Sequence, residues 1–162
     1  MTTTTSSSNY SRLGMSLAVT LVTLGADWLT KHIILTVVMA PPKLIEVTPF
    51  FNLVLVWNKG VSFGMFGSGD FTTVLSLIAA AVTVVLIGWL WKTTSTLLSI
   101  SISLIIGGAI GNIIDRIRFE AVADFLDFHA LGYHWPAFNI ADAAICIGVA
   151  LIFLDGLKEK KA

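Results

Sequence analysis

Between Phe71 and Trp91 the chain carries no charged side chain. A run of ~21 residues rising ~1.5 Å each crosses a hydrocarbon core of ~30 Å. Lipid offers no partner to an open strand edge, so the run must be a transmembrane helix. Trp89 and Trp91 close it as an interfacial pair, and Lys92-Thr93-Thr94-Ser95 turns the chain back into another span over about 96–114. Two further stretches are long and apolar enough to cross, about 13–39 and about 137–157, the first stopped by Pro41-Pro42. Composition agrees: of 162 residues, 56% are hydrophobic and 12% charged, where a soluble domain is about a quarter charged. The formal net charge is zero and the basic residues are scattered, which leaves no electrostatic footprint for a nucleic-acid partner. The single cysteine, Cys146, sits in an apolar run and reads as a packing residue.

The spans imply a membrane all-α protein with a small β element. That is a four-transmembrane-helix bundle plus a small extracytoplasmic β-sheet between the first and second helices. Residues 1–12 read as a disordered cytoplasmic tail, because Thr2 to Asn9 form a polar low-complexity stretch. Residues 13–157 form a single membrane-embedded domain, and 158–162 a basic cytoplasmic tail. The β segment lies in 40–69, where Phe50 to Trp57 is aromatic and β-branched. It leads into Asn58-Lys59-Gly60-Val61-Ser62-Phe63-Gly64, whose glycines suit a turn or a close approach to a ligand. An even number of spans puts both termini on one side. Lys158, Lys160 and Lys161, with Arg12 and Lys92, assign that side to the cytoplasm, although Lys43, Lys59, Arg116 and Arg118 oppose them. The segments 40–69 and 116–136 then share the outer face.

Against this background the polar residues are conspicuous. Asp27, Lys31, Asn58, Asn112, Asp115, Arg116, Asp124, Asn139 and Asp142 gather at one level if the spans pack as a bundle. Each is costly in lipid, so function or mutual pairing is the expectation. Asp27 and Lys31 stand four apart with the acid first, the favourable order for a helical ion pair. Gly107 and Gly111 form a small-xxx-small pair that admits a neighbouring helix. Asp124 and Asp142 flank a membrane boundary. Two acids held close in a low dielectric cannot both ionise easily, and that asymmetry suits activation of water against a peptide carbonyl. Buried acid pairs also serve proton-coupled transporters, but four spans without an internal repeat do not suit one. A metal-dependent hydrolase could draw on Asp124, Asp127, His129, His134 and Asp142, yet no helical ligand spacing such as HExxH is present, and no metal or cofactor is expected.

Five blocks then carry a resemblance. They are Asp27-Trp28-Leu29-Thr30-Lys31, Asn58 to Gly64, Gly107 to Arg116, Val122-Ala123-Asp124-Phe125 and Phe138-Asn139-Ile140-Ala141-Asp142. In this order, over nearly the whole chain, they resemble the lipoprotein signal peptidases, or signal peptidase II. The resemblance implies an aspartic endopeptidase of the bacterial inner membrane. It would cut diacylglyceryl-modified prolipoproteins just before the lipid-bearing cysteine and would be sensitive to globomycin. It implies Asp124 and Asp142 as the catalytic pair, near the extracytoplasmic face. Asp27, Lys31, Asn58, Gly108, Asn112, Arg116 and Asn139 are its substrate-binding or supporting positions, and prolipoprotein signal peptides and membrane lipid its partners. Two departures stand out: Trp28 where the family often has glutamine, and Val61-Ser62 where it often has a small pair.

Overall fold

A computed structural model describes residues 4–60 and 71–159. Val61 to Gly64, the far part of the glycine-bearing turn, lies outside the described residues, as do Lys160 and Lys161. Four long helices are present: α1 (Thr4–Ile33), α2 (Phe71–Lys92), α3 (Thr96–Phe119) and α4 (Ile140–Glu159). A π-helical turn, Ile34–Val38, prolongs α1 until the prolines stop it. All four helices are long and apolar enough to cross a membrane. The helix begins at Thr4, where the sequence predicts an unordered tail through residue 12. Extending an established helix fixes one residue per hydrogen bond gained and escapes the nucleation cost, so weak local propensity suffices.

The bundle is centred on α3, which packs against α1, α2 and α4. In the membrane window of α3, 56% of residues are buried, against 17% for α1 and α2 and 22% for α4. Val22, Leu77, Val84, Val85 and Phe153 point outward, as expected where the surroundings are acyl chains rather than water. Cys146 belongs to this outward set and is exposed, which corrects its reading as a packing residue. Close helix approach depends on the glycines of α3, and they divide by face. A Cβ at Gly107 would stand 2.8 Å from Thr23 Cβ and 2.9 Å from the Thr20 carbonyl of α1. A Cβ at Gly108 would instead strike the Ala141 carbonyl of α4. The predicted Gly107/Gly111 pair therefore does meet a neighbour, α1, and Gly108 does the same for α4.

The turn after α2 is held by Ser95. Its hydroxyl caps α3 by accepting from Leu98 N at 3.2 Å and donates to Asp155 Oδ1 of α4 at 2.8 Å. At the other end α3 stops at Glu120, whose left-handed backbone (φ 55°) lets its N–H reach the Arg116 carbonyl.

The sheet is larger than the sequence predicts. It has four antiparallel strands in the order β1-β2-β3-β4: β1 (Ile45–Thr48), β2 (Phe51–Asn58), β3 (Val122–Ala130) and β4 (Tyr133–His134). It is thus not confined to the segment between the first two helices, because half of its strands come from the α3–α4 connection. Asp124 and Asp127 break the apolar alternation of β3, so that segment lacks the period-2 signature of a strand. The ladder between β2 and β3 pairs Asn58 with Val122, Val56 with Asp124 and Asn52 with Asp127, with a bulge on β2 between Leu53 and Val56. It brings residues more than sixty positions apart into one plane.

Candidate active site

Four elements, β2, β3, α3 and α4, deliver the two carboxylates and their first neighbours. Asp142 sits in the first turn of α4, where unpaired backbone N–H groups favour negative charge. Asn139 is the cap of that helix, and the two residues form a reciprocal box. Asp142 N donates to Asn139 Oδ1 at 3.0 Å, and Asn139 N donates to Asp142 Oδ2 at 3.2 Å. Asp124 lies on β3, 1% exposed. Its Oδ1 accepts from Asn139 Nδ2 at 2.7 Å and its Oδ2 from Asn58 Nδ2 at 3.0 Å. Asn58 reaches it diagonally across the β2–β3 ladder, since its direct partner is Val122. Asn139 thus touches both acids, one through its side-chain nitrogen and the other through its backbone.

From α3, Asn112 completes the ring. Its Nδ2 donates to Asp142 Oδ1 at 2.7 Å, and its Oδ1 accepts from Asn139 Nδ2 at 3.2 Å and from Lys31 Nζ at 3.1 Å. Behind it lies a buried ionic cluster. Lys31 contacts Asp27 Oδ2 at 2.8 Å and Asp115 Oδ2 at 2.9 Å, with all three side chains nearly inaccessible. The predicted Asp27–Lys31 pair is therefore present, and Asp115 is the member that sequence reasoning did not assign to it. The signal was available: Asn112 and Asp115 stand three apart in α3 and share a helical face.

Asp124 outside the helices has its carboxyl pushed up to about 6, first by burial, against which the Asn58 and Asn139 hydrogen bonds pull downward while the Asp142 charge adds to the rise. Asp127 differs. Its burial is opposed by hydrogen bonds from His134 and Asn52, which together hold it below the usual carboxylate range. Successive strand residues face opposite sides, so Asp127, three positions from Asp124, points away from the site. It pairs with His134 Nδ1 at 2.8 Å and Asn52 Nδ2 at 3.0 Å. Asp127, His129 and His134 accordingly form a separate cluster, with the two imidazoles stacked 4.8 Å apart.

Gly108 and Arg116 occupy the margins. Gly108 contributes space, setting how closely the start of α4 approaches α3. Arg116 opens onto a cleft of about 520 Å³ between α2 and α3, lined also by Thr72, Ser76, Leu77 and Glu120. Its Nε is buried without a hydrogen-bond partner among the described residues. The structure therefore gathers Asp27, Lys31, Asn58, Asn112, Asp124, Asn139 and Asp142 into one connected network and places Arg116 beside it.

The chain is similar to known proteins along nearly its whole length. The family model described as signal peptidase (SPase) II matches residues 19–158. A lipoprotein signal peptidase of Syntrophotalea carbinolica is 40% identical over 151 residues, covering 89% of this chain and 94% of the relative. One from Burkholderia thailandensis is 39% identical over 162 residues, covering 98% and 97%. A solved structure, a bacterial membrane enzyme determined in meso at 1.9 Å resolution, superposes with a TM-score of 0.79 at 35% identity, covering 90% of this chain and 94% of the other. Four membrane-length helices, a four-stranded sheet closing on one end of them and these matches together establish that the chain is a multi-pass membrane peptidase belonging to the signal peptidase II family.

Proposed function

We propose that Asp124 and Asp142 are the catalytic dyad with which this peptidase removes the signal peptide from lipid-modified prolipoproteins, cutting N-terminal to the lipidated cysteine. The observation that carries the reading is Asn139, which binds both carboxylates at once and so makes them one unit. In this reading Asp124, whose buried carboxyl is raised to about 6, serves as the acid, and Asp142, held by Asn112, as the base. Asp142 takes a proton from water as its oxygen attacks the scissile carbonyl carbon, and Asp124 donates its proton to the carbonyl oxygen. Collapse of the resulting diol breaks the C–N bond: one hydroxyl returns its proton to Asp124 as the new carbonyl forms, and the proton held by Asp142 passes to the departing amine.

The remaining family expectations are part of the same proposal. The protein resides in the bacterial inner membrane with both termini cytoplasmic, contacts membrane lipid, and is inhibited by globomycin. Arg116 and the α2–α3 cleft supply binding for substrate rather than chemistry, because the buried Arg116 Nε has no hydrogen-bond partner among the described residues and the side chain opens onto that cleft. The deciding experiment is incubation of the purified protein with a lipidated prolipoprotein peptide and mass spectrometry of the products. A cut directly before the modified cysteine, lost in Asp124→Asn and in Asp142→Asn although both proteins still insert, is the expected result. Wild-type cleavage by Asp142→Asn would remove the dyad from the mechanism.

A further inference from the structure

We propose that Asp27, Lys31 and Asp115 act as a yoke of positioning residues that fixes the spacing of the two catalytic carboxylates. The inference rests on the dyad assignment above. It follows from what each acid binds besides Lys31. Asp27 Oδ1 accepts the backbone N–H of Ala141 at 3.0 Å, and Asp115 Oδ2 accepts that of Ala123 at 3.2 Å. Ala141 immediately precedes Asp142, and Ala123 immediately precedes Asp124. Each acid therefore holds the amide one residue before a dyad member, and the ammonium of Lys31 ties the two acids together. Lys31 also donates to Asn112 Oδ1, which turns the Nδ2 of that amide toward Asp142. Lys31 thus reaches the dyad by three routes: through Asn112, through Asp27 and the Ala141 amide, and through Asp115 and the Ala123 amide.

A pair serving only to neutralise buried charge would need one acid. Here two buried carboxyl groups contact one lysine, one more than such a pair requires. The helix next to the cluster has been relieved of a side chain to admit it: a Cβ at Gly111 would stand 2.5 Å from Asp27 Oδ2.

The test compares Asp115→Leu with Asp115→Asn in detergent-purified protein whose folding is confirmed by thermal unfolding. The leucine variant leaves the Asp27–Lys31 pair electrically balanced but releases Ala123, whereas asparagine keeps an oxygen able to accept from it. Misplacement of reacting groups by about 1 Å costs on the order of 100-fold in rate. Asp115→Leu is therefore expected to lose about that factor in kcat with KM unchanged, and Asp115→Asn to recover most of it. The parallel pair Asp27→Leu and Asp27→Asn, which acts on Ala141, should behave alike. Folded Asp115→Leu with wild-type kcat, or asparagine doing no better than leucine, overturns the yoke. So does a failure of both leucine variants to fold, since the cluster then serves the bundle. Asp142→Asn is run alongside: if it is dead while Asp115→Leu is fully active, only the yoke falls. If it cleaves normally, the dyad reading itself is at fault.

Discussion

Asn139 joins two tasks in one side chain, since its oxygen caps α4 while its nitrogen holds Asp124. Asn139→Ala should therefore cost about 1 kcal/mol for the cap alone, and more once the Asp124 contact is lost. Turnover should fall at the same time, and thermal unfolding read beside kcat checks whether the two losses come together. If the acids act as a unit, Asp124→Asn/Asp142→Asn should be no slower than either single variant, since deletions within a cooperating group are not additive. Asp124 also predicts a pH dependence. Its folded carboxyl is raised from 3.8 to about 6, so the native state binds more protons than the unfolded chain across that interval. Stability contributed by this group is greatest below it, falls as pH rises through it, and is level above it. Unfolding midpoints measured from pH 4 to 7 should show that decline in the wild type and lose it in Asp124→Asn. In activity, kcat/KM should be bell-shaped with both limbs belonging to the pair.

At the scale of elements, the helices were legible because lipid imposes a length and forbids charge, and Phe71 to Trp91 satisfies both conditions. The first half of the sheet was legible from the β-branched run of β2. Its second half was not, because the carboxylates of β3 are set by the site and by the Asp127 cluster rather than by strand patterning. Asp115 was legible as sharing a face with Asn112, three positions away, but not as the partner of a lysine 84 positions earlier. Gly108 was legible only as part of a motif, and its physical reason appears in the contact with the Ala141 carbonyl. Gly108→Ala should push α4 away from α3 and destabilise by roughly 1–3 kcal/mol, as overpacking does. It should also slow cleavage, since Asp142 rides on α4. Normal stability and turnover in this variant would show that the helix pair has slack.

For the molecule as a whole, the even number of spans and the basic residues Lys158, Lys160, Lys161, Arg12 and Lys92 predict that both termini are cytoplasmic. Reporter fusions placed after Lys92 and at Lys161 should both register the cytoplasm, and an exported signal at either would refute that topology. Because the carboxylate oxygens of Asp124 and Asp142 are occupied by asparagine donors rather than grouped with imidazoles, prolonged chelator treatment should leave turnover intact. Recovery of a lost activity by added zinc would point to metal-assisted hydrolysis instead.

The central place of α3 has a consequence for biogenesis. The first two helices share the membrane with no site between them: α2 packs on α3, Asp27 and Lys31 have their counter-groups on α3 and α4, and β2 awaits β3. Asp142 follows the first three helices and every strand of the sheet in chain order. A nascent chain that has not yet made α4 therefore carries only part of the polar network, and Asn139 and Asp142 join it when α4 docks.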